Sequence, residues 1–213
     1  MLGAVGGLGL LAACGSPAPS TSGPQPATPS VPAPGAPSAG SARALLAYFS
    51  RPGENYHYGG RINLTVGNTQ VVADMIAAAI TVDGYRIEAA EPYPADYEQT
   101  VQRNTREARG NARPRIANPL PSVADYDTVL LGCPLWAVQT PMIIRTFVEG
   151  VDLAGKTVHP FVTHAVSGMG RVRDDYVGLL PDSTISEGLV VQGELASQAR
   201  PEVEAWLSGL GLL

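Results

Sequence analysis

A doubly wound α/β domain, with a five-stranded parallel sheet covered by helices on both faces, is predicted from about Ala44 to Leu213. Three observations predict it. Short apolar runs alternate with helix-patterned stretches five times along the chain, and connections of that kind give a parallel sheet. The runs Ala44–Ser50 and Thr128–Cys133 are apolar nearly throughout, as strands buried on both faces are. Loops rich in Gly, Pro and Asn follow the strands, and in such sheets ligands sit beyond the carboxyl ends of the strands.

The first strand, Ala44–Ser50, leads into a loop over 51–66 that is rich in Gly, Asn and Tyr. Asn68–Ile80 then carries Val71, Val72, Met75, Ile76, Ala79 and Ile80 at helical spacing. Tyr85–Ala90 reads as a second strand, and Ala95–Arg109 as a polar helix. Thr128–Cys133 is the third strand. Thr140–Gly150 is a helix with Pro141 in its first turn, where proline is tolerated. Lys156–Thr163 and Gly188–Gln192 complete the set of strands, with a helix over Gly170–Leu180 between them. Ala199–Leu210 closes the chain as a helix, with Val203, Trp206, Leu207 and Leu210 on its inner face.

The 213 residues suit one domain plus an appendage. With 45 % hydrophobic and 15 % charged residues, there is enough apolar material for one sizeable core. The net charge is −5, and every charge lies at or after Arg43. No basic face marks a nucleic-acid binder; the arginines from Arg103 to Arg115 read as a solvated face. Two cysteines are too few for a disulfide framework. Cys133 reads as a small core residue.

The appendage has two parts. Residues 1–14 form an apolar segment ending Leu11-Ala12-Ala13-Cys14. It is shorter than the ~20 residues needed to span a bilayer as a helix, and it has the apolar core and small residues of a secretory signal. Its end resembles the lipobox of bacterial lipoproteins, which implies lipidation of Cys14 and a chain anchored on the outer face of the cell membrane. No Lys or Arg precedes Cys14, a departure from the basic start of such signals. Residues 15–43 form a disordered linker: up to Ala42 they contain only Gly, Ser, Pro, Ala, Thr, Gln and Val. Such a stretch cannot bury enough apolar surface to offset chain entropy, and its prolines extend it as a spacer. The folded domain covers 44–213.

Three loops carry chemistry. In the first, Ser50 ends the strand and Gly67-Asn68-Thr69 opens the helix. A helix N-terminus presents free N–H groups and a positive dipole end to an anion; Gly67 permits close approach, and the side chains of Asn68 and Thr69 either cap the helix or donate to phosphate oxygens. In the second, Pro134-Leu135-Trp136-Ala137 follows Cys133, and Trp136 packs either on a planar cofactor or on the protein itself. In the third, His164 precedes Ser167-Gly168-Met169-Gly170, whose glycines let the backbone approach a flat ligand. His164 is either a donor and pH sensor or a satisfied loop histidine.

Together these loops resemble the flavodoxin-like fold family, in a branch with an insertion in the phosphate loop. The matching residues are Tyr48-Phe49-Ser50-Arg51-Pro52-Gly53-Glu54-Asn55-Tyr56, Val66-Gly67-Asn68-Thr69, Gly132-Cys133-Pro134-Leu135-Trp136 and Ser167-Gly168-Met169-Gly170-Arg171. The resemblance implies strand order 2-1-3-4-5 and non-covalent FMN. Its phosphate would be held by Ser50, Asn68 and Thr69, its ring would be bordered by Trp136 with its neighbours Pro134, Leu135 and Ala137 and by Ser167 to Gly170, and Arg51, Gly67 and His164 would also be among the cofactor-binding residues. It implies electron transfer or reduction of a small substrate, with an unidentified redox partner. The sixteen residues between Ser50 and Gly67 depart from ordinary flavodoxins. With Arg51, Arg61, Arg171 and Arg173 nearby, they leave open the deazaflavin F420 and a role in sequestering a cofactor without catalysis. The bland alternative pairs these arginines with Glu54, Asp174 and Asp175.

Overall fold

The computed structural model describes residues 43–213. The expected leader, its lipobox-like end at Cys14 and the expected linker up to Ala42 lie outside the described residues. Arg43, the last linker residue by the sequence reading, is within them and its guanidinium meets Asp83 at 3.0 Å.

The central sheet is built from β1 (Ala44–Phe49), β4 (Asp83–Ile87), β5 (Thr128–Pro134), β6 (Thr157–His164), β7 (Thr184–Ile185) and β8 (Leu189–Gln192). Every pairing in it is parallel, in the order β4-β1-β5-β6, with β7 and β8 both on the outer side of β6. Taking β8 as the fifth strand, this is the order 2-1-3-4-5. The sheet has six strands instead of five because the outer edge is broken in two. Val158 pairs with Ile185 and Phe161 pairs with Leu189, so two residues of β6 face three residues, 186–188. That extra residue interrupts the ladder as a bulge does.

Alternation along the strands sorts side chains between two cores. Leu45, Ala47, Phe49, Leu131 and Cys133 point to one face, where they meet Ile143, Ile144 and Phe147 of α3 (Met142–Gly150) and Tyr176 of α4 (Val172–Leu179). Leu46, Leu130 and Phe161 point to the other. There they meet Val72 and Ile76 of α1 (Asn68–Ala79) and Val203 and Leu207 of α5 (Arg200–Gly209). Trp206 and Leu210 pack on that core from its margin. The remaining helix, α2 (Tyr97–Arg109), starts at Asp96, whose side chain accepts from the Gln99 N–H at 2.8 Å.

Two expectations change. The insertion is an antiparallel hairpin, β2 (Gly53–His57) with β3 (Gly60–Leu64), joined by Tyr58-Gly59, both at positive φ. Such a two-residue turn suits the twist of paired strands. Arg103 is not on a solvated face: its guanidinium lies 4.0 Å over the Tyr93 ring and 2.7 Å from Glu107. Cys133 is a core residue as expected. Its Sγ lies 3.7 Å from the Tyr176 hydroxyl, and burial pushes its thiol up to about 12. Among the described residues, no helix is long and apolar enough to cross a membrane.

Candidate functional site

The carboxyl ends of β1, β5, β6 and β8 open on one cleft of about 110 Å³. It is lined by Ser50, Arg51, Asn68, Thr69, Pro134, Leu135, Trp136 and His164, all named from sequence, and also by Asn55, Tyr56, Tyr97, Thr163, Ala165, Gly193 and Glu194. A water needs only ~10–15 Å³ by the same measure, so the cleft has room for a phosphate-sized anion.

Its floor is the start of α1. The residue before the helix is Gly67, which has no capping side chain. The cap comes instead from the residue just past β1: Ser50 Oγ accepts from the N–H of Gln70, twenty residues on, at 3.0 Å. A cap of this kind stabilises by ~1 kcal/mol. The N–H groups of Asn68 and Thr69 make no hydrogen bond among the described residues and remain for a ligand. Gly67 does serve close approach, but to the protein. A Cβ there would collide with Ser50 Oγ and the Arg51 carbonyl, so glycine lets the two ends of the insertion meet.

Thr69 is buried to 1 % exposure, and its hydroxyl lies 2.7 Å from that of Thr163 on β6. Two hydroxyls sharing one hydrogen bond keep one proton free, and both side chains line the cleft. Arg51 is 7 % exposed. Its guanidinium donates to the carbonyls of Pro94 at 2.9 Å, Ala95 at 3.1 Å and Glu54. No carboxylate forms an ion pair with it among the described residues, and Glu54 and Asp96 act on it only at longer range, so much of its charge is left for a ligand in the cleft. Burial lowers its affinity for its proton, but an arginine value this high leaves it charged throughout the neutral range.

The hairpin closes the cleft from above and is tied down at both ends. At its base, the Glu54 N–H donates to the Ala95 carbonyl at 2.7 Å, and Glu54 Oε2 accepts from the Tyr97 N–H at 3.1 Å. On β3, Arg61 stacks on the Tyr97 ring at 3.7 Å and pairs with Glu98 at 3.2 Å. At its tip, the Tyr58 N–H donates to Glu194 Oε1 at 3.0 Å. Glu194 belongs to a 3-10 helix, Gly193–Gln198, that follows β8. Burial alone would raise the Glu194 carboxyl, but the hydrogen bonds from backbone N–H groups and Gln192, together with the charge of His57, hold it below its usual range.

Trp136 stands at the side of the cleft. Its ring meets Phe49 edge-on at 5.3 Å and Tyr93 at 5.0 Å, so part of it packs on the protein and part lines the cleft. Trp136 and Gln139 exchange backbone hydrogen bonds of 3.3 and 3.1 Å around Ala137 and Val138, both at positive φ. Left-handed backbone costs a non-glycine residue ~1–2 kcal/mol. The Ser167–Gly170 loop does not line the cleft. Gly170 lies against Leu135 and Val138, the Arg171 N–H donates to the Val138 carbonyl at 2.9 Å, and Met169 packs on the core. This loop braces the Trp136 turn from behind.

Of the four arginines named from sequence, only Arg51 lines the cleft. Arg61 pairs with Glu98, Arg171 with Asp175 and Arg173 with Glu187. The contributions missed from sequence came from Thr163 and Ala165 around the end of β6, from Gly193 and Glu194 after the last strand, and from Tyr97 at the start of α2. Gly193 was the available signal: it is the first residue beyond a strand in a sheet whose strand ends bind ligands.

Comparison with known proteins bears on this geometry. A family model described as flavodoxin matches residues 62–210. The chain is similar to the solved structure of a candidate flavoprotein from Bacteroides eggerthii, at 30 % identity and a TM-score of 0.65, over 81 % of this chain and 100 % of that one. A second, from Bacteroides uniformis, matches at 29 % identity and a TM-score of 0.62, over 78 % of this chain and 98 % of that one. A flavoprotein from Lactobacillus acidophilus, solved in complex with FMN, shares the fold at 17 % identity and a TM-score of 0.55, over 74 % of this chain and 98 % of that one. No curated protein matches the chain.

Proposed function

The chain belongs to the flavodoxin family, and from that premise we propose that it binds FMN in the α1 cleft and works as a redox protein. One observation carries the reading. Three buried polar atoms, Arg51 Nε, His164 Nδ1 and Glu194 Oε2, lack a hydrogen-bond partner, and all three residues line this one cleft. A buried unpaired polar group costs ~1–3 kcal/mol, so a polar ligand there recovers what folding leaves unmatched. The two kinds of atom call for a ligand with two kinds of group. The α1 N–H groups, Arg51 and the Thr69–Thr163 hydroxyls suit a phosphate. Glu194 Oε2 only accepts, so it suits hydroxyl groups on the chain that the phosphate ends. Trp136 and Leu135 offer apolar surface to a flat ring.

When bound, FMN supplies reversible electron transfer, and the protein supplies binding, orientation and electrostatics. The fixed charge of Arg51 and the α1 dipole hold the anionic end. The hairpin, tied by Glu194, screens that end from water. FMN is favoured over F420 because the longer anionic tail of F420 would call on Arg61, Arg171 and Arg173, which are paired with carboxylates.

The test is to purify the full chain, release its chromophore and weigh it, then titrate the apoprotein with FMN. One FMN per chain is expected, with the bound flavin, once photoreduced in the absence of any other reductant, passing its electrons to cytochrome c. Recovery of F420 would overturn the choice of cofactor. A flavin that binds but passes no electrons would support sequestration instead. Uptake of neither cofactor would end the proposal.

The tether is a separate proposal. The Leu11-Ala12-Ala13-Cys14 sequence and the uncharged spacer support lipidation at Cys14 and display of the domain on the outer face of the cell membrane. Two acyl chains anchor stably where one is marginal. Cells fed labelled palmitate should label the protein, and Cys14→Ala should abolish it; equal labelling of both forms would sink the tether.

A further inference from the structure

The arginines that close α2 and follow it differ in charge from the rest of the chain. Residues 103–115 hold five of the 14 lysines and arginines and one of the 19 aspartates and glutamates, so this stretch is formally +4 and the remainder −9. Folding gathers these arginines in one place. Arg103, Arg106 and Arg115 line a surface cavity of about 480 Å³, beside Glu91 and Glu107. Arg115 reaches α2 because the loop after that helix returns along the end of β4, where the Ala90 N–H donates to the Arg115 carbonyl at 2.8 Å. Arg109 follows Arg106 in the last turn of α2. Arg103 pairs with Glu107 at 2.7 Å, and Arg113 pairs with Glu149. Arg106, Arg109 and Arg115 are exposed and form no ion pair among the described residues. The negative end of the α2 dipole accounts for Arg106 and Arg109. It does not account for Arg115, which belongs to the loop.

We infer that this arginine face docks the acidic surface of a redox protein that exchanges electrons with the α1 cleft. The inference rests on the reading of the chain as a redox protein. Position supports it. Arg103 lies 4.0 Å over the Tyr93 ring, and that ring meets Trp136, at the side of the cleft, at 5.0 Å. Two aromatic rings in contact therefore lie between the face and the cleft. Arg106 stands nine residues along α2 from Tyr97, which lines the cleft, a distance of ~14 Å along the axis. Chemistry supports it as well. A guanidinium fork matches a carboxylate with two parallel hydrogen bonds, and three unpaired forks call for a partner with several carboxylates. The acidic remainder of the chain selects against an anionic membrane. At physiological salt a charge is felt over ~8 Å. A plane of anionic lipid would bring its charge against that remainder too, whereas a protein whose acidic patch is no wider than this face meets the arginines alone.

The probe is cytochrome b5, a haem protein whose haem edge is ringed by carboxylates; cytochrome c, ringed by lysines, is its counterpart. The full chain is loaded with FMN, photoreduced and mixed with either ferric protein. Each reduced flavin gives one electron to each of two haem irons and returns its protons to water. Passage to cytochrome b5 should be fastest at low salt and slow as salt is added. Arg106→Glu with Arg115→Glu should slow it about tenfold or more at low salt and leave FMN affinity within about twofold. Arg43→Glu with Arg200→Glu makes the same change in net charge at the opposite end of β1 from the cleft and on α5; it should slow the reaction by less than about twofold. Equal slowing by the two pairs would assign the effect to net charge and overturn the inference, as would a parent rate that rises with salt. A chain that reduces cytochrome c but not cytochrome b5 would also overturn it, and would leave the flavin reading standing. Nitrogen-15 NMR of the full chain without flavin puts the same question independently. Cytochrome b5 should shift the amides of residues 103–115 in the parent chain and not in Arg106→Glu with Arg115→Glu. No shift there would sink the docking face, and a stronger shift with phosphatidylglycerol vesicles would give it to the membrane instead. Shifts there in a chain that takes up no FMN would sink the flavin reading and leave the face as a site for acidic proteins.

Discussion

The two ends of the α1 cleft are built differently. At the anion end, each side chain is fixed by the core. Ser50 caps α1, Thr69 pairs with Thr163 on β6, and Arg51 is held by three carbonyls. At the Trp136 end, the chain is exposed and strained. Ala137 and Val138 take left-handed backbone, and Val166, in the neighbouring loop, is 78 % exposed. Charge recognition needs donors that do not reorganise, because reorganising them would cost what binding gains. A surface that exchanges electrons needs access, and strain is tolerated where surrounding structure over-determines it.

This contrast can be broken from the rigid end first. Gly67→Ala forces a Cβ into Ser50 and Arg51. Overpacking of this kind costs ~1–3 kcal/mol, so urea unfolding should shift toward the upper part of that range and FMN affinity should collapse. Unchanged stability would mean that the insertion re-routes freely. Next, Thr69→Val keeps the volume and strands the Thr163 hydroxyl. A loss of ~1–3 kcal/mol is expected, with FMN phosphate affinity falling while riboflavin affinity holds. Equal losses for both ligands would show that Thr69 serves the fold alone.

At the strained end the sign should reverse. Ala137→Gly with Val138→Gly removes left-handed strain of ~1–2 kcal/mol per residue and adds glycine's entropy cost of ~0.5–1 kcal/mol each. A net gain of about 1.5 kcal/mol is expected in the melting curve, with phosphate binding untouched. Destabilisation would show that the turn is not strained.

The smallest effect is electrostatic. Burial holds the His164 imidazole below its ordinary value, against a weaker opposing pull from Glu194. The unfolded chain then takes up this proton before the folded one does. Stability is full above the ordinary histidine value of ~6.5 and falls as pH drops below it, until the folded value is passed. His159, also lowered by burial, contributes a slope of the same sign. His164→Gln should therefore flatten the slope of stability between pH 7 and pH 5 without removing it. An unaltered slope would mean that the cleft leaves His164 as free as in the unfolded chain.

Much of this was legible from one-dimensional pattern. Buried parallel strands announce themselves as apolar runs, and the period of 3.6 marks the helices, so the layers followed from residue type and spacing, whereas the strand order came with the family resemblance. Ser50, Gly67, Asn68 and Thr69 were legible because a strand end followed by a helix start is a local event. Glu194, Tyr97 and Thr163 were not, because each reaches the cleft from a different strand or helix end. No local signal says that residue 194 will hold the turn at residue 58. The break between β7 and β8 was hidden for the same reason: a bulge is a mismatch between two strands, and neither strand carries it alone.

The Gly67-Asn68-Thr69 start of α1 marks where those two kinds of information divide. Its residue types told that a helix begins there after a buried strand, and that an anion would find free N–H groups. Folding assigned the cap to Ser50, gave Gly67 its reason in a contact with the other end of the insertion, and laid the hairpin over the cleft. Local chemistry is a property of neighbouring residues and survives in sequence. Which distant side chain satisfies a given donor depends on how the whole sheet brings strand ends together, and that is decided only when the chain is packed.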